Sequence, residues 1–222
     1  MHETVLITGA LSGLGEAISE LFCRKGYRVY GTARHVEGRD FPYGTLLPLD
    51  LDTGDLSSLD SIDSLSVLVN NAGVFTLGNQ KELSDADFMR VMDVNIRGLF
   101  AVTRKMLPLL EESDGSIVNI SSMNALHPGF GGTAHDDGSK GFVSSYTRSL
   151  AAETGLRVNA VAPGLIARND LFGSELEKRY SQHSVKKSMM KKEEIAESVF
   201  FLASQRGIYG QTILVDNGYT LL

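Results

Sequence analysis

Near its start the chain runs Val5-Leu6-Ile7 into Thr8-Gly9-Ala10-Leu11-Ser12-Gly13-Leu14-Gly15, and then places Ala17, Ile18, Leu21 and Phe22 at helical spacing. An aliphatic run, three glycines and a three-and-four apolar period read as strand, tight turn and helix. Glycine lets the backbone turn sharply and lets a pyrophosphate approach with no Cβ in the way. The helix N-terminus adds free N–H groups and a partial positive charge. A nucleotide site in the first strand–helix turn of a parallel α/β sheet is therefore expected. The spacing is G-x-x-x-G-x-G rather than the commoner G-x-G-x-x-G. Because a glycine-rich turn can also merely reverse a chain, the rest of the sequence must decide.

Downstream, strand and helix signals alternate. Gly26 ends the first helix, and Tyr27 to Ala33 reads as a second strand that closes in Arg34. At that place an acid would hold a free ribose 2′-hydroxyl and an arginine a 2′-phosphate, so Ala33 and Arg34 favour NADP over NAD, with a solvated loop arginine as the plain alternative. Leu46 to Leu49 is a third strand, followed by Asp50, which either accepts from an exocyclic amine such as that of adenine or caps the next turn. Residues 53–66 leave room for only a stub of helix. Val67-Leu68-Val69 is the fourth strand and runs into Asn70-Asn71-Ala72-Gly73. A long helix is expected from Ser84 to about Leu110, with Asn95 in its apolar middle. The fifth strand spans 116–122, a helix opens near Asp136 and runs to Thr154, the sixth strand spans 157–162, a helix spans 195–204, and the last strand spans 212–215. Seven strands alternating with helices imply a Rossmann-like, doubly wound parallel sheet of three αβα layers.

Nothing in composition divides the 222 residues, so one domain is expected. Hydrophobic residues make up 42% and charged residues 22%, enough to fill a core, and a net charge of −6 argues against nucleic acid as the main partner. A lone cysteine, Cys23, cannot form an internal disulfide and reads as a small core or boundary residue. With no basic-then-apolar leader and no membrane-length apolar run, a cytoplasmic protein is expected.

Taken together these segments resemble the short-chain dehydrogenase/reductase superfamily over essentially the whole chain. Thr8-Gly9-x-x-x-Gly13-x-Gly15 is similar to its cofactor turn, Asn70-Asn71-Ala72-Gly73 to its strand-four motif, and Ile117 to Ser122 to its strand-five motif. Asn95 matches its helix asparagine and Ser139-Lys140 the end of its Tyr-x-x-Ser-Lys motif. Asn159 to Gly164 matches its strand-six motif and Val215 to Gly218 its C-terminal strand. The resemblance implies hydride transfer between NADP or NAD and a carbonyl or alcohol. It also implies cofactor contacts from Gly9, Leu11, Ser12, Gly13, Leu14 and Gly15, from Arg34, Asp50 and Leu51, from Asn71, Ala72 and Gly73, and from Lys140, Pro163, Gly164 and Ile166. Ser122 would bond the substrate oxygen, Lys140 the nicotinamide ribose, and Asn95 a proton-relay water; no metal is implied. A homodimer or homotetramer would form on the helices 84–110 and 140–154, where Ile96, Leu99, Phe100 and Val102 extend the apolar surface.

The position four before the lysine, tyrosine in the family, is Asp136 here. Counting the family's usual interval from Ser122 lands on His135, so the loop carries one extra residue, and neither count finds tyrosine. Tyrosine is a long-reaching weak acid of reference pKa about 10, whereas aspartate, about 3.9, is shorter and normally ionised. Asp136 and Lys140 also stand at the i,i+4 spacing of an ion pair, which would neutralise the site. His135 and His127 are candidate replacement acid/bases. A second departure is Arg168, where the family often has threonine. The segment 167–192 stands in the place of a substrate lid. Its basic residues Arg168, Lys178, Arg179, Lys186, Lys187, Lys191 and Lys192 suit an anionic small-molecule substrate or a solvated face. Two functions follow: an NADP-preferring oxidoreductase with an atypical centre, or a dinucleotide-binding sensor or partner subunit without turnover.

Overall fold

In the computed structural model, which describes residues 3–222, seven parallel strands lie in the order β3-β2-β1-β4-β5-β6-β7. The strands are β1 (Thr4–Ile7), β2 (Arg28–Ala33), β3 (Gly44–Pro48), β4 (Val67–Asn70), β5 (Ser116–Ile120), β6 (Arg157–Pro163) and β7 (Thr212–Val215). Consecutive side chains on a strand point to opposite faces, so each central strand feeds two cores. Val5, Ile7, Val69 and Val118 pack under α1 (Gly13–Arg24) and α6 (Lys192–Ser204). Leu6, Leu68, Ile117 and Val158 face the other way, toward Val102, Met106 and Leu110 of α3 (Leu99–Glu112). The order reverses between β1 and β4, and it is at such a reversal that the loops after the strands part to leave a cleft.

The connection from β3 to β4 is short, as expected: a single 3-10 turn, Ser57–Ser61, with Leu59, Ile62 and Leu65 buried against the sheet. The long helix expected from Ser84 begins at α2 (Asp85–Met92), where the Ser84 hydroxyl accepts from Asp87 N at 3.1 Å. It runs on into α3 through a π-helical turn, Asp93–Gly98, which a 3.6-residue period does not predict. The next helix, α4 (Ala134–Thr154), opens two residues earlier than expected and ends on Gly155 at φ +72°. The polar segment after β6 contains α5 (Glu175–His183), capped by Ser174, whose hydroxyl accepts from Glu177 N. Cys23 is exposed rather than in the core or at its boundary, because α1 turns positions 17, 18, 21 and 22 inward. No helix among the described residues is long and apolar enough to cross a membrane.

Candidate active site

Two adjoining cavities open along the C-terminal ends of the strands and share Asn71, Gly73 and Val74. The first, of about 330 Å³, lies between the turns after β1, β2, β3 and β4. Gly9, Leu11, Ser12, Arg34, Asp50, Leu51, Asn71, Ala72 and Gly73 all reach it. Gly9 sits at φ +67°, and the Ser12 hydroxyl caps α1 by accepting from Gly15 N at 3.2 Å while donating to Gly9 O at 2.7 Å. The cap leaves the Gly13 and Leu14 N–H groups with no acceptor among the described residues. A Cβ added at Gly13 would meet nothing within 4 Å, whereas one at Gly15 would lie 2.2 Å from Gly9 O. Open space over two free N–H groups at a helix N-terminus fits the pyrophosphate of a dinucleotide.

The turn is fixed from below by side chains. Thr8 Oγ1 accepts from Asn71 N and Ala72 N, both at 3.0 Å, and Asn71 Nδ2 donates to Thr8 O at 2.9 Å and Gly9 O at 3.1 Å. Behind it, Asn70 Nδ2 donates to Asn119 Oδ1 at 2.8 Å, and Asn119 Nδ2 to Thr147 Oγ1 at 2.9 Å, so buried amides tie β4, β5 and α4 together. Arg34 reaches the outer end of the cavity with His35 and Arg39, and forms no ion pair among the described residues. Arg39 carried no motif in the sequence; a second cation five residues after Arg34 was the available signal. Asp50 lines the cavity, and its Oδ1 accepts from Asp52 N at 3.1 Å, the turn-capping role.

The second cavity, of about 350 Å³, brings together Ser122, Asp136, Lys140, Leu14, Pro163, Gly164 and Ile166. Asp136, in the first turn of α4, and Ser122, after β5, share this wall. No tyrosine lines either cavity. Tyr180 of α5 is buried, and its hydroxyl donates to the Asp216 carbonyl instead.

Lys140 Nζ donates to Ile120 O at 3.1 Å. The expected ion pair with Asp136 is not formed, because the lysine stem runs down to the end of β5 and carries its ammonium away from the carboxylate one turn earlier. The two charges still act on each other at longer range. Burial pushes the Asp136 carboxyl up, against the nearby ammonium, and burial pushes the Lys140 ammonium down, against the carboxylate. Asn95, on the π-helical turn, accepts from Val74 N at 2.9 Å through Oδ1, and its Nδ2 donates to Val74 O and to Ser139 Oγ, each at 3.0 Å. It makes a longer 3.4 Å contact to Asp136 Oδ1. Its amide holds the loop after β4 against α4.

Neither histidine reaches this cavity. His135 is buried with Nε2 2.8 Å from Thr76 Oγ1, one helical position round from Asp136. His127 is half-buried and packs edge-on to Tyr219. Arg168 pairs with Asp170, Lys186 with Glu194 and Lys192 with Glu16, all on the surface. Arg179 lies over Phe130. Much of the expected basic character of the lid is thus engaged locally. Phe75, which the sequence did not single out, lines the second cavity while 56% exposed. Leu99 and Val102 turn into the chain's own core, and the outward aromatic face is Phe100 with Tyr146 and Phe142.

Over residues 57–220 the chain matches the family described as Enoyl-(Acyl carrier protein) reductase. It is 31% identical to the meso-2,3-butanediol dehydrogenase of Serratia marcescens, covering 99% of this chain and 95% of that one. Among solved structures, the ligand-free aldohexose dehydrogenase of Thermoplasma acidophilum superposes with a TM-score of 0.91 at 29% identity, over 100% of this chain and 95% of that one. ElxO with NADP bound superposes with a TM-score of 0.89 at 27% identity, over the whole of both chains. The chain belongs to the short-chain dehydrogenase/reductase superfamily, and it is an oxidoreductase of the type that acts on alcohols and carbonyl compounds.

Proposed function

We propose that the chain is an NADP-preferring oxidoreductase whose reacting end is built on Ser122, Asp136 and Lys140 in place of a serine–tyrosine–lysine set. The observation that carries this reading is the meeting of those three side chains in one cavity continuous with the glycine turn. When bound, the dinucleotide supplies or accepts hydride. Gly13 N and Leu14 N hold its pyrophosphate, Asp50 and Leu51 face its adenine end, and Lys140 holds its nicotinamide ribose. Pro163, Gly164 and Ile166 wall the nicotinamide. Ser122 orients the substrate oxygen, and Asp136, whose carboxyl is pushed up by burial, is the short acid beside it. Residues 167–192 cover a small-molecule substrate, and Phe100, Phe142 and Tyr146 form the contact of a homodimer. The exposed free thiol of Cys23 suits a reducing compartment such as the cytoplasm.

Support for NADP comes from Arg34 and Arg39 at the ribose end, with Ala33 where an acid would favour NAD. ElxO, at similar length and fold, holds NADP. A charge-assisted contact to a phosphate is worth roughly 1.5–3 kcal/mol. Calorimetry should accordingly show NADPH binding at least tenfold tighter than NADH, and Arg34→Ala should remove most of that difference while leaving NADH affinity unchanged. Equal affinities in the unaltered protein would overturn the preference.

A further inference from the structure

Asp136 is only 6% exposed, yet it lines the cavity next to Ser122. One carboxylate oxygen takes the long 3.4 Å contact from Asn95, and the other has no donor among the described residues. Lys140, the one cation on that wall, is turned to the Ile120 carbonyl, and Phe75, Leu14 and Ile166 add apolar surface beside the neutral Asn71, Ser121 and Ser122. A buried carboxyl that lacks donors is an incomplete arrangement. To the ionised carboxylate a ketone brings only another acceptor, and the oxyanion formed on reduction would face it with like charge. A protonated nitrogen brings both the missing donor and the opposite charge.

Resting on the dinucleotide reading above, we infer that this cavity takes a substrate whose reacting carbon carries a cationic nitrogen, an iminium ion or the corresponding amine, with the free oxygen of Asp136 as its counter-ion. The chemistry balances without the missing tyrosine. An iminium carbon that accepts hydride from a reduced nicotinamide dinucleotide gains a C–H bond, and the C=N π pair becomes the nitrogen lone pair. The product is a neutral amine, and no proton donor is needed. A ketone, in contrast, must also be given a proton on oxygen.

The groups that bear on Asp136 are Lys140, Asp137 and His135, all on α4. Asp137 turns away, its carboxylate accepting from Thr133 Oγ1 and Gly129 N. The π-helical turn contributes only the neutral Asn95 amide, and the loop after β5 only the Ser122 hydroxyl. Burial pushes the Asp136 carboxyl up, and a cation bound at the ionised carboxylate opposes that shift. Amine affinity therefore rises with pH as the carboxyl ionises.

The test is calorimetric titration of the NADP-saturated protein with cyclohexylamine, cyclohexanol and cyclohexanone. Cyclohexylamine is expected to bind at least about tenfold tighter than cyclohexanol. Its affinity should grow as pH rises through the carboxyl's titration, which burial displaces upward from the ordinary aspartate range. Asp136→Asn should erase both effects. That variant loses a buried charge, so its melting temperature should match or exceed the unaltered protein's, which separates lost binding from lost folding. In parallel, N-methyl-dihydroisoquinolinium should oxidise NADPH faster than cyclohexanone does. Equal affinity for the alcohol, or an amine preference that survives Asp136→Asn, overturns the inference. Failure of NADP to bind overturns the dinucleotide reading instead, and the amine titrations on the chain alone still decide the role of Asp136. If NADP binds and only the ketone is reduced, the oxidoreductase reading stands and the cation site falls.

Discussion

Replacing Asp136 by tyrosine should raise the rate of ketone reduction by about two to four orders of magnitude, the usual contribution of a well-placed acid/base. The structure favours this outcome in two ways. Position 136 opens on the same cavity as Ser122, despite the extra loop residue, so a longer side chain extends into space beside the reacting oxygen. Lys140 is not tied to Asp136 and keeps its bond to Ile120 O, and Asn95 loses only a long 3.4 Å contact while keeping Val74 O and Ser139 Oγ. The new hydroxyl would also lie near the ammonium of Lys140, which favours its ionised form and brings it closer to working pH. The comparison is steady-state reduction of a small ketone panel by the two proteins at saturating NADPH. The same variant should reduce N-methyl-dihydroisoquinolinium more slowly, because its counter-ion is gone. An unchanged ketone rate would mean that position 136 does not address the substrate oxygen.

The second large effect belongs to the glycine turn. In Gly15→Ala the new methyl would lie 2.2 Å from Gly9 O and 2.8 Å from Asn71 Nδ2, contacts made by backbone and by a side chain already holding three bonds. Overpacking of this kind costs about 1–3 kcal/mol or more and displaces the turn itself. A drop in melting temperature of several degrees is expected, together with loss of measurable NADPH binding. Gly13→Ala is the informative partner, since its methyl meets nothing in the protein. At the first helical position alanine should leave stability unchanged or slightly raised. Its NADPH affinity should nevertheless fall at least tenfold, because the methyl would stand in the place proposed for the pyrophosphate. A Gly13→Ala variant that binds NADPH normally would place the phosphates elsewhere.

Why these positions could be read from sequence, while others could not, follows from what each depends on. The seven strands and the site at their C-terminal ends rest on local signals. Val5 to Gly15 is a strand and turn by composition alone, and Asn70 and Asn119 announce themselves as amides inside apolar strands, where they prove to bond each other. Asp136 could be placed by counting back from Lys140. The direction a side chain takes was not legible. Spacing of four allowed an Asp136–Lys140 pair, but the lysine is long enough to choose a carbonyl at the end of β5. Likewise the basic lid residues find partners as distant in sequence as Glu16 for Lys192. The π-helical turn around Asn95 escapes an apolar period, because it alters the register by a single residue within one continuous helix. Helix α5 was hidden by its polarity, although Ser174 followed by Glu177 is a capping signal.

The most direct measurement is a single turnover. Protein in excess is loaded with NADPH and mixed rapidly with an iminium or ketone substrate, while nicotinamide absorbance and product formation are followed together. The account predicts that the reduced dinucleotide is consumed one-for-one with amine or alcohol formed, and that Lys140→Met slows this consumption at least tenfold. NADPH that binds tightly but keeps its absorbance with every substrate class would contradict it, and would mark the chain as a dinucleotide-binding protein without turnover.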